Sequence, residues 1–486
     1  MSLEQCTSSF SPELCGTKIT WSKASQIAPE ADRILIIGQK LASASANPGQ
    51  VYEYKDATAV GLFGAGSMIM ESVEALFNQA GIASSTPVDV YVAPLTGTIG
   101  QIEFEITDTT TSGVGLASVF INGQLFQVPY NETTDTDDDV AARFAAIIDS
   151  QDTLTAAAVA NTVTVETVNN GVVGGFLDFR LTYSGDKSVL GDGPTITKTV
   201  TPSSGFPDLS GLSSIDMVYS FVSNPYTDGA SLTAVSAFLC SSWSADNDYK
   251  ARAWSATTQA DLASTQAVGD INDAFMSIIG LDPNPVTPPY IVSASYTGVA
   301  YGKLNFDSNY IASSIISVGL NGVLGSDTTD RWSKDDKVDL INSGITYLNT
   351  TESGSVSIGR GITTYTDNNG QLDISLRDVS EVSLIAAFDK SAKLALNKFT
   401  SGYAFRADGV VGSRAGSDKI LTLAGVRNAL AAVAQSQSDI NRLQDVAGFT
   451  SSLDVTVEES TNCISIVADP NFVKPVCCVT SNFAVV

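Results

Sequence analysis

Residues 33–38 read RILIIG, residues 61–81 read GLFGAGSMIMESVEALFNQAG, and residues 88–93 read VDVYVA. The first and third are continuous apolar runs of the kind found in buried strands. Between them, Ser67 is placed to cap a helix, and Glu71 falls in its first turn or just beyond it. The apolar positions recur at helical spacing, and Gly81 supplies a stop. Strand, helix, strand is the pattern of an α/β unit. Gly61, Gly64 and Gly66 invite comparison with a dinucleotide-binding turn. They lie over twenty residues after the first strand instead of at its end, and no acidic residue closes a suitable second strand. A helix start with tight packing accounts for them better.

Outward from this unit the texture changes. From Thr96 to about Ser204, IEFEI, LASVFINGQLFQVPY, TVTVETV and FLDFRLTYS alternate or run apolar between turns, with a hairpin signal at Ile121-Asn122-Gly123-Gln124. A helix over residues 139–150 interrupts this β-rich segment. The acids DTDDD at 135–139 raise the question of calcium, but they lack the glycine and closing glutamate of an EF-hand loop. Acids at a helix N-terminus are favoured by its dipole, which makes capping the simpler role. After Phe206-Pro207 the α/β texture returns. MVYSFVSN reads as a strand, PYTDGASLTAVSAFLCSSWS as a helix capped by Asp228, and AFMSIIGL precedes the proline corner DPNPVTPPY. Then come ITYLN, SVSIGRGITTYT and an Asp-Asn-Asn-Gly turn. A helix over Glu381–Phe399 is followed by another over Leu421 to about Ala434. LDVTVEE and CISIVAD form a hairpin, and VCCVTSNFAVV reads as a final strand. At the other end, residues 1–25 read as an arm whose only strand-like piece is KITW.

The chain of 486 residues is too long for one core, so two to four domains are expected. A net charge of −26 argues against nucleic acid as the main partner, because phosphate binding needs a broad basic surface. Histidine is absent. That removes Ser-His-Asp and Cys-His catalysis, histidine-ligated zinc and the usual neutral-pH acid/base group, so no enzyme activity, cofactor or metal is expected. The start of the sequence has no basic region followed by an apolar core, and no apolar run reaches membrane-spanning length. Six cysteines show no paired CxxC spacing, and free reduced thiols are the expectation; bridges between the ends of neighbouring copies are the alternative.

One region departs from the acidic balance. Residues 388–442 carry eight Lys/Arg against four Asp/Glu, a local +4 that leaves −30 for the remainder. On the 381–399 helix, Leu384, Ile385, Phe388, Ala392, Ala395, Leu396 and Phe399 form one stripe, and Lys390, Lys393 and Lys398 fall opposite it. The lysines are either the helix's ordinary wet face or a surface for an acidic partner.

The order of these pieces resembles the contractile tail sheath proteins of Mu-like bacteriophages. RILIIGQ followed by FGAGSMIMESVEALFNQ resembles that family's first strand and helix. VSNPYTDGASLTAV resembles its strand-to-helix corner and PNPVTPPY its proline corner. LNGVLGSDTTDRWSKDDKVDLINSGITYL and SIGRGITTYTDNNGQLDISLRDVS resemble its most characteristic segments. Segment 96–204 and the two ends match only in position and texture. The resemblance implies a multidomain α/β chain. Its parts would be an N-terminal arm (1–25), an α/β middle domain (26–95 and 205–343), an inserted β-rich outer domain (96–204), an α+β inner domain (344–470) and a C-terminal arm (471–486). A likeness of such middle domains to subtilisin in topology carries no protease activity here, since histidine is lacking.

The resemblance also implies a structural role. Such subunits polymerise as stacked six-fold rings around a tail tube, contract, and drive the tube through the host envelope for genome delivery. The implied partners are other copies of the chain, the tail tube protein, and baseplate and tail terminator proteins. Neither nucleic acid nor a membrane is among them, and the implied place is the virion tail, assembled in the host cytoplasm. Terminal arms would donate strands to neighbours, with Lys18, Ile19, Thr20 and Trp21 at one end and Cys478, Val479, Thr480, Phe483 and Val485 at the other. Lys390, Lys393 and Lys398 would hold an acidic tube surface in the extended state. The nearest alternative is the sheath of a phage-derived injection device of the tailocin kind. A β-rich virion decoration or adhesion protein is the alternative from another class.

Overall fold

The computed structural model describes residues 32–111, 113–181, 195–216, 218–244, 249–308, 311, 315–352, 354–397, 404–405, 420–458 and 463–474. The N-terminal arm and residues 475–486 of the C-terminal arm, and with them Lys18, Ile19, Thr20, Trp21, Cys478, Val479, Thr480, Phe483 and Val485, lie outside the described residues, as does Lys398.

The apolar run beginning at Arg33 becomes β1 (Ile34–Gly38), buried at every position. β2 (Val51–Glu53), α1 (Asp56–Phe63), α2 (Met68–Phe77) and β3 (Val88–Val92) follow. Ser67 caps α2 as its position predicts, its hydroxyl accepting the Met70 N–H. Gly61 sits inside α1, so only Gly64 and Gly66 make the turn, at φ +89° and +70°.

The inserted segment contains β4 (Ile99–Thr107), β5 (Val114–Ile121), β6 (Gln124–Asn131), α3 (Asp137–Asp149), β7 (Leu154–Val159), β8 (Thr162–Asn170), α4 (Gly171–Gly174), β9 (Phe179–Arg180) and β10 (Thr195–Thr201). Two antiparallel sheets, ordered β10-β4-β8-β7 and β6-β5-β9, close with α3 around their own core. Alternation decides which side chains enter it: Ile102, Phe104 and Ile106 from β4 meet Val163 and Val165 from β8. Phe104 packs edge-on against Phe144 of α3 at 5.6 Å between ring centroids. The β5–β6 turn has both Asn122 and Gly123 at positive φ, as the Asn-Gly signal predicts.

The α/β pattern resumes with β11 (Phe221–Ser223), α5 (Gly229–Ser242), β12 (Arg252–Thr257), α6 (Leu262–Ala267), β13 (Met276–Gly280), α7 (Pro289–Leu304), α8 (Lys334–Asn342), β14 (Ile345–Thr350) and β15 (Val356–Ile358). These join the first unit in one sheet, ordered β15-β14-β13-β12-β11-β1-β3-β2. The six inner strands are parallel, and an antiparallel strand flanks each edge. Ile34, Ile36, Phe221, Trp254 and Ile279 point to the face covered by α2 and α7, while Leu35, Ile37, Val222 and Ala253 point to the face covered by α5. Each fully buried Leu, Ile or Val contributes roughly 1.5–3 kcal/mol, so this two-sided core is the main source of the sheet's stability. β14 pairs in parallel with β13 and β15 closes the edge, so the sheet extends into the stretch 344–470 that the resemblance assigns to an inner domain.

The rest comprises β16 (Asp367–Asn368), β17 (Gln371–Leu372), α9 (Val379–Asn397), β18 (Ala404–Phe405), β19 (Ile420–Leu421), α10 (Leu423–Asp439), α11 (Val446–Ser452), β20 (Asp454–Glu458) and β21 (Cys463–Val467). α9 begins in the sheet's core, where Val379 and Val382 are buried, and ends in a separate one. There Leu384, Phe388, Ala392 and Leu396 meet Val426, Leu430 and Ala434 of α10, together with Phe449 and Phe472. β20 and β21 form the antiparallel hairpin that their sequences predict. Cys240, near the end of α5, is disulfide-bonded, which corrects the expectation of free thiols throughout.

Candidate functional site

In open parallel sheets, ligands bind at the carboxyl ends of the strands, where strand order reverses. Here that point lies beside β1, with β3 on one side and β11 on the other. It is packed by the root of the insertion. Gln39, just past β1, donates its amide N–H to the Pro94 carbonyl at 3.0 Å. Asn169 of β8 accepts the Met68 N–H at 2.9 Å and donates to the Gly66 carbonyl at 2.9 Å, so a residue of the insertion serves the N-terminus of α2. Backbones meet closely here. A Cβ at Gly66 would lie 2.0 Å from the Asp152 carbonyl oxygen, and one at Gly97 1.6 Å from that of Ser204. A second anchor joins the insertion to the body through Arg180, which pairs with Asp178 at 2.8 Å and Asp330 at 3.5 Å and donates to the Asn284 carbonyl. The acids at 135–139 are engaged locally: Thr136 and Asp139 form a capping box on α3, and Asp135 pairs with Arg143 at 2.7 Å.

The opposite, amino-terminal edge of the sheet carries a charged joint. Asp32 precedes β1, Ser220 precedes β11 and Arg252 opens β12, and α9 lies across all three. Lys390 pairs with Asp32 at 3.0 Å and stands 4.7 Å from the Phe306 ring centroid. Asp32 also accepts from the Ser220 hydroxyl at 3.0 Å and from the Phe306 N–H at 2.7 Å. Burial pushes the Asp32 carboxyl up, but Lys390, Arg252 and the Phe306 N–H together hold it below the ordinary value. Asp389 lies 3.1 Å from Lys393 and 3.8 Å from Lys250. Arg252 stacks on Phe221 at 4.5 Å, and burial pulls its guanidinium down to about 10, partly countered by Asp32.

These contacts correct the reading of a wet lysine face. Lys393 is only 8% exposed, and Lys390 is spent on an aspartate 358 positions away. No described residue of α9 is fully exposed, because the helix is covered by the C-terminal core on one side and by the sheet's edge on the other. The structure thus brings Lys390 and Lys393 into one network within the chain, with Asp32, Lys250, Arg252 and Asp389 as partners that the sequence pattern did not single out. A signal existed. Asp32 and Arg33 precede RILIIG, and Lys250 and Arg252 lead into an apolar strand, so charges stand where strands begin.

No family model and no curated protein matches the sequence. Among solved structures, the chain is similar to the sheath tail protein from Desulfitobacterium hafniense. The identity is 12% and the TM-score 0.50, over 93% of this chain and 96% of that one. The chain has the fold of a sheath tail protein. Similarity also extends to the sheath tail protein from Listeria innocua, at 10% identity and TM-score 0.46 over 92% of this chain and 93% of that one. A further match is the contracted helical sheath of the anti-feeding prophage, at 12% identity and TM-score 0.47 over 100% of this chain and 98% of that one. A mixed α/β chain with several sheets fits that fold.

Proposed function

We propose that this chain is a structural, non-catalytic subunit of a contractile tail sheath, in a phage of the Mu-like kind or in a phage-derived injection device. The observation that carries this reading is a fold likeness to a sheath tail protein spanning nearly the full length of both chains. A decoration or adhesion protein would not call for the doubly wound sheet together with the long C-terminal region. In the proposed assembly, residues 1–25 and 471–486 add strands to neighbouring copies, residues 96–204 face outward, and the C-terminal region faces a tube. Backbone pairing between copies holds rings together while they rotate and slide. Contraction then needs no nucleotide: the extended polymer is a kinetic trap that relaxes to a state with more contact between subunits. Baseplate and terminator proteins would bound the polymer at its two ends, and assembly would take place in the host cytoplasm.

In the extended state Lys390, Lys393 and Lys398 would hold an acidic tube surface; Lys390 and Lys393 also serve the joint within the chain, so reversing their charge would disturb the joint before it reports on a tube. Negative-stain microscopy of the purified chain tests the reading. Hollow cylinders of uniform width are expected, and they should vanish when residues 475–486 are removed, a cut that leaves Phe472 in the chain's own core. Discrete particles at every concentration, with no cylinders, would refute it. Genes for a capsid beside this one would separate a phage from an injection device.

A further inference from the structure

The last strand of the insertion, β10, forms one border of its four-stranded sheet. β4 pairs with it along all seven residues without a bulge, and among the described residues no strand pairs with its outer side. Every residue from Thr197 to Thr201 is exposed, and every second one turns its backbone N–H and C=O outward. Folded proteins blunt such edges with proline, a bulge, a charge or a covering element. At the opposite border of the same sheet, α3 packs against β7, and the Asp149 carboxylate takes the Ala156 N–H at 3.1 Å. β10 contains no proline. Its one charged residue, Lys198, turns to Phe179, donating to the carbonyl at 2.6 Å and standing 5.3 Å from the ring centroid. The sequence TITKTVT is also close to self-complementary when reversed. Centring an antiparallel self-pair on Lys198 would set two lysines opposite each other, which is unfavourable. Centring it on Thr199 sets Lys198 across from Val200 and Thr197 across from Thr201.

From the open edge and its self-complementary sequence, we infer that β10 docks antiparallel on β10 of a second copy of this chain, about a two-fold axis at Thr199. Three Thr–Thr pairs then line the outer face, and such cross-strand pairs favour an antiparallel ladder. On the other face Val200, 44% exposed, is covered by the apolar stem of Lys198 of the second copy. A single strand pair makes a small interface, so the contact is weak and depends on concentration. Each copy carries a net charge of −26, so salt strengthens it by screening. A two-fold contact has no polarity whereas a stack of rings has one. The pairing therefore joins free chains or the outsides of separate polymers, and it does not depend on whether the chain polymerises.

The test is photo-crosslinking of the full-length chain carrying Thr201→benzoylphenylalanine, with nitrogen-14 and nitrogen-15 copies mixed and the linked peptides read by mass spectrometry. Links of mixed isotope from position 201 to Thr197 and its neighbours are expected, and they should increase with salt. Thr199→Lys sets two lysines face to face at the axis, while Glu103, opposite position 199 on β4 of the same chain, supports the fold. That variant, checked for native circular dichroism, should lose the mixed links. If it does not fold, Val200→Lys takes its place by setting a lysine across from Lys198 of the second copy. Absence of mixed links at high concentration and high salt overturns the inference. So do mixed links from position 201 only to other segments, which would mark a different contact, or undiminished links in a folded lysine variant.

Discussion

Glu71→Gln should make the protein more stable at pH 8 while leaving it little changed at pH 5. Glu71 lies in the first turn of α2 and accepts the Tyr290 hydroxyl from the start of α7, across one of the closest helix contacts in the body. Burial pushes its carboxyl up to about 7, which the hydrogen bond from Tyr290 only partly offsets. The folded state therefore binds this proton more tightly than the unfolded state, whose value is near the ordinary 4.5. The stabilisation is fully present below about 4.5, is lost as pH rises through about 7, and is gone at pH 8. At about 1.4 kcal/mol per pH unit the interval corresponds to roughly 3 kcal/mol. Residual exposure and the new amide N–H reduce the expected gain to about 2 kcal/mol. Urea unfolding of both proteins at pH 5 and pH 8 measures it, since all other titrating groups cancel in the difference. An unchanged difference between variant and wild type at the two pH values would refute the reasoning, as would a sign favouring the wild type at pH 8.

Lys390→Met leaves Asp32 buried with its two other hydrogen bonds but without its ion-pair partner, Arg252 remaining nearby, and should cost about 3 kcal/mol in urea unfolding. Gly97→Ala should lower the melting temperature far more than Gly113→Ala. Both glycines have positive φ, +78° and +80°, but a Cβ at Gly97 meets the Ser204 carbonyl whereas one at Gly113 meets nothing within 4 Å. The control should cost about 1–2 kcal/mol for its backbone alone, and equal losses would discount the clash at the neck. Thr136→Ala removes half of the capping box on α3 and should cost about 1 kcal/mol; a neutral result by thermal unfolding would mean that the acidic first turn suffices.

Much of this fold was legible because local signals and burial agree. RILIIG and VDVYVA are buried at every described strand position, Ser67 and Asp228 cap helices, and Asn122-Gly123 turns a hairpin. α7 was not legible. PYIVSASYTGVAYGKL is buried almost all round, so no polar stripe marks its period, and its small and hydroxyl residues imitate a loop. α1 hides behind Gly61, a residue read as a turn that faces open space within the helix. The partners of the α9 lysines were hidden for a different reason. Helical spacing tells which side chains share a face, but Asp32 and Arg252 come to that face only through the tertiary fold.

The two ends of β1 meet different parts of the molecule: Asp32 leads into the C-terminal joint, and Gln39 into the root of the insertion. A pull between those attachments runs lengthwise along a strand about 17 Å long, flanked on both sides by parallel neighbours. Such a load strains the whole ladder of hydrogen bonds together instead of unzipping it rung by rung. The sheet is thereby a tie-rod between two fixtures, and strain would first appear at the fixtures, where glycine backbones touch and charges face one another.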